Sequence, residues 1–155
     1  MTAATFIAWE NRLAKMVREP GGLRIGQALE QAETNLDAIR EASLQAMDSQ
    51  IDELDRLCAE GGRKPVDAIK DQMYDLANDV LAVAGAFELG ELGQAAFSLC
   101  ELVDRLRTRG QWNQAAVEVH LSAFRLLRNQ EAGADHSSVI QGLRGLTERV
   151  AAIAE

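Results

Sequence analysis

Only two prolines stand among the 155 residues, and aromatic side chains make up just 5%. Proline, the strongest helix breaker, is therefore scarce and β-branched residues are scattered, while alanine, leucine, glutamate, glutamine and arginine dominate. That balance predicts an all-α protein. Cysteine is equally sparse. Cys58 and Cys100 lie far apart, each inside a helical pattern and neither in a C-x-x-C. This excludes a disulfide framework and reads as two small packing residues in a reduced, cytoplasmic compartment. With two histidines, His120 and His136, and two distant cysteines, no metal site is expected. Basic charge is short as well. Sixteen Lys and Arg against 24 Asp and Glu leave a net charge of -8, which argues against a nucleic-acid partner. No apolar run approaches the roughly 20 residues of a membrane span, and the start has no basic-then-apolar leader, so no membrane role is expected. Phosphate loops, nucleophile elbows and dinucleotide fingerprints are missing, and Gly90-x-x-Gly93 reads as a helix corner. No catalytic residue, no cofactor and no enzymatic activity are expected.

What is present is helical periodicity. The chain is 47% hydrophobic with a mean hydropathy of -0.14, enough to bury a core. Residues 4–18 set Phe6, Trp9, Leu13 and Met16 on one face of a short amphipathic helix, which Pro20-Gly21-Gly22 ends. Residues 24–60 form one long pattern. Leu29, Ala32, Leu36, Ile39 and Ser43 alternate by threes and fours; after a slip of one residue the pattern resumes at Met47, Ile51, Leu54 and Cys58. This is a heptad seam with a stutter. Leu29, Leu36, Ile39, Met47, Ile51 and Leu54 are the candidates for self-association, and a homodimer through this helix is one expectation. The acidic residues between them read as a solvated face.

Gly61-Gly62 stops the long helix and Pro65 suits the first turn of the next. The expected division is thus an N-terminal helical extension, 1–62, and a four-helix bundle, 63–155. Its helices are expected at 65–87, 91–109, 111–129 and 138–155, with 131–136 as a loop and Asp135 or Ser137 as a cap. In the first, Leu76, Val80, Val83 and Phe87 form the expected inner stripe. In the second it is Leu92, Ala95, Ala96, Leu99, Leu102 and Val103. The third is apolar on two stripes, one through Trp112, Ala116, Val119, Ala123 and Leu126, the other through Val117, Leu121, Phe124 and Leu127. The last buries Ile140, Leu143, Leu146, Val150 and Ile153. On the outward side of the first bundle helix stand Asn78, Leu81, Ala82 and Gly85, small and weakly charged where Glu and Lys would ordinarily stand.

The stretch 78–92 resembles the signature of histidine phosphotransfer (HPt) domains, four-helix bundles that pass phosphoryl groups to or from receiver domains in two-component signalling. Their pattern has a surface histidine, lysine at +3, small residues at +4, +6 and +7, Phe or Leu at +9, glycine at +10 and leucine at +14. With Asn78 at the histidine position, Leu81 stands at +3, Ala82 at +4, Ala84 and Gly85 at +6 and +7, Phe87 at +9, Glu88 at +10 and Leu92 at +14. Three departures matter. The amide of Asn78 cannot take a phosphoryl group as imidazole does. Leu81 replaces the lysine, and Glu88 replaces the glycine and would repel phosphate. The chain is also similar to the histidine-lacking accessory proteins of bacterial chemotaxis clusters, of the CheE type. The resemblance implies a non-catalytic signalling adaptor. It would dock a receiver domain or histidine kinase over Asn78, Leu81, Ala82, Gly85 and Glu88 without accepting phosphate. The other expectation is a structural oligomer acting through the long helix.

Overall fold

A computed structural model describes residues 24–61, 67–129 and 135–152. These residues form five α-helices and no strand: α1 (Ile25–Gly61), α2 (Asp67–Ala86), α3 (Gly90–Thr108), α4 (Gln114–Arg128) and α5 (Ser137–Ala152). The expected 4–18 helix, Gly62, Pro65, most of the 131–136 loop and Ile153 lie outside the described residues. None of the described helices is long and apolar enough to cross a membrane.

The chain divides into two compact units, Met1–Ala38 and Ile39–Glu155. In the first, the described residues are Arg24 and the start of α1, and all are exposed. The second begins 24 residues before the bundle boundary expected at 63, because the C-terminal turns of α1 belong to its core. Met47, Ile51, Leu54, Leu57 and Cys58 are buried there. The stutter in the seam falls where burial begins, between half-buried Leu44 and buried Met47. Met47, Ile51 and Leu54 are therefore core residues of their own chain and are not free for self-association. Around them, Arg128 donates two hydrogen bonds to Asp48, Arg125 pairs with Asp55, and Gln50 donates to Asp79 on α2.

The helix at the middle of this unit is α3. It contacts α2, α4 and α5, and α4 also contacts α5. Its expected stripe, Leu92, Ala95, Ala96, Leu99, Leu102 and Val103, is buried throughout. In α2 the buried line is Lys70, Met73, Ala77, Val80 and Ala84. It lies one position round from the expected stripe, which shares only Val80 with it; Leu76, Val83 and Phe87 are half-buried at the edge. Small Ala77 and Ala84 let α3 come close. A Cβ added to Gly93 would already touch Ala84 at 3.7 Å and Leu81 at 3.8 Å. In α4 the second expected stripe points inward, but Val119 and Leu126 of the first are exposed, so the helix is not covered on two full sides.

Helix ends follow from local chemistry. The Asn113 side chain accepts the Ala116 N–H at 3.0 Å and caps α4. Asp135 accepts from the Ser137 N–H, and that bond holds its carboxyl below the usual range. α3 ends with Gly110 at φ 62° and with the Gln111 N–H returning to the Leu106 carbonyl, a left-handed glycine cap. The arginines at this end are structural. Arg107 pairs with Asp71 at 2.7 Å and lies over Tyr74, while Arg105 and Arg109 donate to the Thr147 and Val150 carbonyls of α5. Lys70, a lysine nothing in its sequence surroundings marks out, is buried and reaches Asp67 and the Leu106 carbonyl.

Candidate functional site

The buried line of α2 turns the other side of that helix outward. Asn78, Ala82 and Gly85 are exposed, Glu88 just beyond the helix is exposed, and Leu81 is half-buried. The structure thus brings the five predicted docking residues to one region, with Leu81 on its inner margin. A Cβ at Gly85 would meet nothing within 4 Å, so no close helix approach explains this glycine. Asp75 and Asp79 are also exposed on α2, so the surroundings of Asn78 carry the charge that repels phosphate.

The α2–α3 corner adds a feature that the periodicity did not reveal. Glu88 has φ 60°, and it is the one non-glycine residue with positive φ among the described residues. The Leu89 N–H returns to the Ala84 carbonyl at 2.9 Å, so Glu88 occupies the left-handed position after the helix where glycine is usual. The corner is built like the end of α3, with glutamate in place of Gly110. A side chain in this conformation costs about 1–2 kcal/mol. A carboxylate at a helix C-terminus also opposes the helix dipole.

Beside this corner lies an apolar groove of roughly 320 Å³, lined by Leu81, Gly85, Leu89, Gly93 and Phe97 with Arg144 at its rim. Phe97 is 55% exposed. Sequence reasoning missed it, although a signal was present: an aromatic on α3 off the buried stripe, on the same side as Gln94 and Glu101. Arg144 is held by a hydrogen bond to Gln94 at 2.9 Å.

Of the self-association candidates, Leu29, Leu36 and Ile39 are exposed, whereas Met47, Ile51 and Leu54 are buried. His120 is fully buried. Its Nδ1 donates to the Ala116 carbonyl at 2.8 Å, which leaves Nε2 to accept from the Ser98 hydroxyl at 3.0 Å, with Thr147 Oγ1 at 3.4 Å. Burial pushes the His120 pKa below its ordinary 6.5, and the bond to Ala116 only partly offsets this. Ser98 and Thr147 are buried too. A serine against a neutral imidazole is the geometry of a nucleophile and its base, but here no orienting carboxylate is present and the ring has no exposed surface. The cluster joins α3, α4 and α5. His136 is half-buried and meets Glu91 twice, its backbone N–H at 3.1 Å and Nδ1 at 2.9 Å, an anchor at the start of α5. Burial raises both thiols, Cys58 and Cys100, to about 11. Cys58 Sγ also accepts from Gln114 Nε2.

Comparison of the chain with protein-family models, curated proteins and solved structures finds no significant match in any of the three.

Proposed function

We propose that the chain is a non-catalytic adaptor of two-component or chemotaxis signalling, with an HPt-like four-helix arrangement, which docks a receiver domain or a histidine kinase in the cytoplasm without accepting phosphate. The observation that carries this reading is the backbone at Glu88. The HPt pattern, set with Asn78 at the histidine position, calls for glycine at residue 88. That residue has the left-handed φ of 60° that glycine alone adopts freely. A left-handed residue just after the helix is what a glycine at that place in the pattern would supply, and this supports the reading. The exposed Asn78, Ala82 and Gly85 support the same reading, since a face of small side chains admits the close approach of a partner helix. The groove beside them offers an apolar socket, and Phe97 an aromatic anchor. Asn78 supplies no phosphoryl acceptor and the acidic surroundings disfavour phosphate, so the adaptor acts by occupancy, competing with a true phosphotransfer partner for its docking surface.

The test is capture from cytosolic extract by the full chain, wild type against Gly85→Arg, read by mass spectrometry. The open space above Gly85 lets arginine in without disturbing the fold. Receiver-domain proteins or histidine kinases enriched by wild type and lost with the variant support the reading; identical catches refute it. A scaffold acting through α1 would draw instead on Leu29, Leu36 and Ile39, and predicts a mass that rises with concentration and falls with Leu36→Asp.

A further inference from the structure

The groove at the α2–α3 corner is lined by apolar side chains and glycines, with two exceptions, Gln94 and Arg144. No carboxylate lines it. The chain carries 24 Asp and Glu, so a recess whose one charged lining residue is an arginine runs against the protein as a whole. That arginine is fixed but not neutralised. Its Nη2 donates to Gln94 Oε1 at 2.9 Å, a bond to an amide. Arg107, Arg125 and Arg128 of the same unit each meet a carboxylate, whereas Arg144 meets none among the described residues. A guanidinium has five N–H donors, so the bond to Gln94 leaves others to spare. The acids nearby in sequence do not fill this role. Glu88 is outside the lining, and Glu91 is engaged twice by His136.

We infer that this groove is a binding site for a small carboxylic acid with an apolar chain or ring. The carboxylate accepts from the guanidinium of Arg144, and the apolar part lies along Leu81, Leu89 and Phe97. Three observations select this ligand. The first is charge. A lining with one cation and no acid favours an anion and repels an amine. The second is polarity. Beyond Arg144 and Gln94 the lining side chains offer no polar partner, so a sugar or inorganic phosphate would lose its hydration without replacement. Phe97, 55% exposed, gives an apolar ligand an aromatic face that water otherwise covers. The third is room. About 320 Å³ lies at the small end of ligand sites. A Cβ at Gly85 or Gly90 would meet nothing within 4 Å, so the chain itself does not crowd the groove. The assignment does not rest on the docking reading. Where both hold, the acid and a partner's apolar anchor exclude each other.

The probe is octanoate, added to the nitrogen-15-labelled full chain and followed by amide NMR. Gly85, Gly90 and Gly93 line the groove, and Gly26 and Gly110 do not, so the glycine amides report the site directly. Expected are saturable shifts at the first three, with Gly26 and Gly110 still. A ligand of about ten non-hydrogen atoms sets a Kd of about 1 mM. Octylamine, of the same length and opposite charge, should move none of them. Arg144→Gln keeps a hydrogen-bonding side chain and removes the charge. It should weaken octanoate by about tenfold or more and erase its advantage over octanol. Phe97→Ser should weaken octanoate and octanol alike; neither residue belongs to the core, so the spectrum elsewhere should hold. Groove glycines that stay still well above the expected Kd overturn the inference. So does octanol or octylamine binding as tightly as octanoate, or octanoate binding that Arg144→Gln leaves unchanged. Shifts at Gly26 and Gly110 that match those in the groove also overturn it, because octanoate would then be an adventitious additive only.

Discussion

Part of the loosening of this protein by acid should come from His120. Its ring is fully buried and neutral, with Nδ1–H on the Ala116 carbonyl and Nε2 facing the Ser98 hydroxyl. Burial holds its folded pKa below 6.5. The unfolded chain takes up a proton as pH falls through 6.5, while the folded chain does not until a lower pH. The stability tied to the neutral ring is therefore complete above 6.5 and drains away below it, down to the folded pKa. One proton bound only by the unfolded state gives a slope of at most about 1.4 kcal/mol per pH unit, and by pH 5.5 the accumulated loss has a ceiling of about 1.4 kcal/mol. For a chain of this size that corresponds to roughly 3–6 °C in Tm. The assay is urea or thermal unfolding at pH 7.5 and 5.5, wild type against His120→Gln. Glutamine keeps an acceptor for Ser98 and carries no titratable group. His136 and every carboxylate are common to both chains, so the difference of differences isolates His120. Wild type should lose more than the variant on acidification. Equal losses would show that the buried ring takes up its proton in place, and would refute the reasoning.

Glu88→Gly should stabilise the chain by about 0.5–1 kcal/mol, since the left-handed strain is relieved and part of the gain is returned as unfolded-state entropy; a higher urea midpoint checks it. Gly85→Arg should raise stability slightly, by up to about 1 kcal/mol, because glycine is a poor residue in an exposed helix interior, so any loss of partner capture cannot be ascribed to unfolding. Leu54→Ala should cost about 2–5 kcal/mol, because Leu54 is fully buried in the core that α1 shares with the other helices; chemical denaturation reads it directly. A fragment starting at residue 63 should fail to show cooperative unfolding, and one starting at Ile39 should show it, because only the latter keeps Met47, Ile51, Leu54 and Leu57.

Much of the helical layout was legible because periodicity survives in a single sequence. The five described helices lie within a few residues of their expected spans, and the α3 stripe is buried as expected. What one sequence does not resolve is which of two adjacent apolar stripes faces inward. In α2 the larger residues Leu76, Val83 and Phe87 suggested one line, while close packing on α3 required the smaller Ala77 and Ala84. The seam of α1 posed the same problem along its length. A continuous heptad pattern does not say where the partner changes from the chain's own core to something else. Tertiary choices were hidden for a like reason. Buried Lys70 and the Ser98–His120–Thr147 cluster are polar residues whose partners on other helices lie 22–49 residues away, and no local pattern announces them. At the candidate site the small-residue face could be read from spacing, but the strained corner at Glu88 and the exposed ring of Phe97 needed coordinates.

The two cysteines give the molecule a clock. Each thiol is buried and raised to about 11, so at neutral pH an alkylating reagent finds neither buried sulfur as a reactive thiolate. Labelling must wait for the protein to open. Cys58 is held on α1 by Gln114 of α4, whereas Cys100 lies in α3. Modification rates at the two sulfurs therefore time two separate events, the lifting of α1 from α4 and the exposure of the central helix. A partner seated on either surface would slow one hand of the clock and leave the other running.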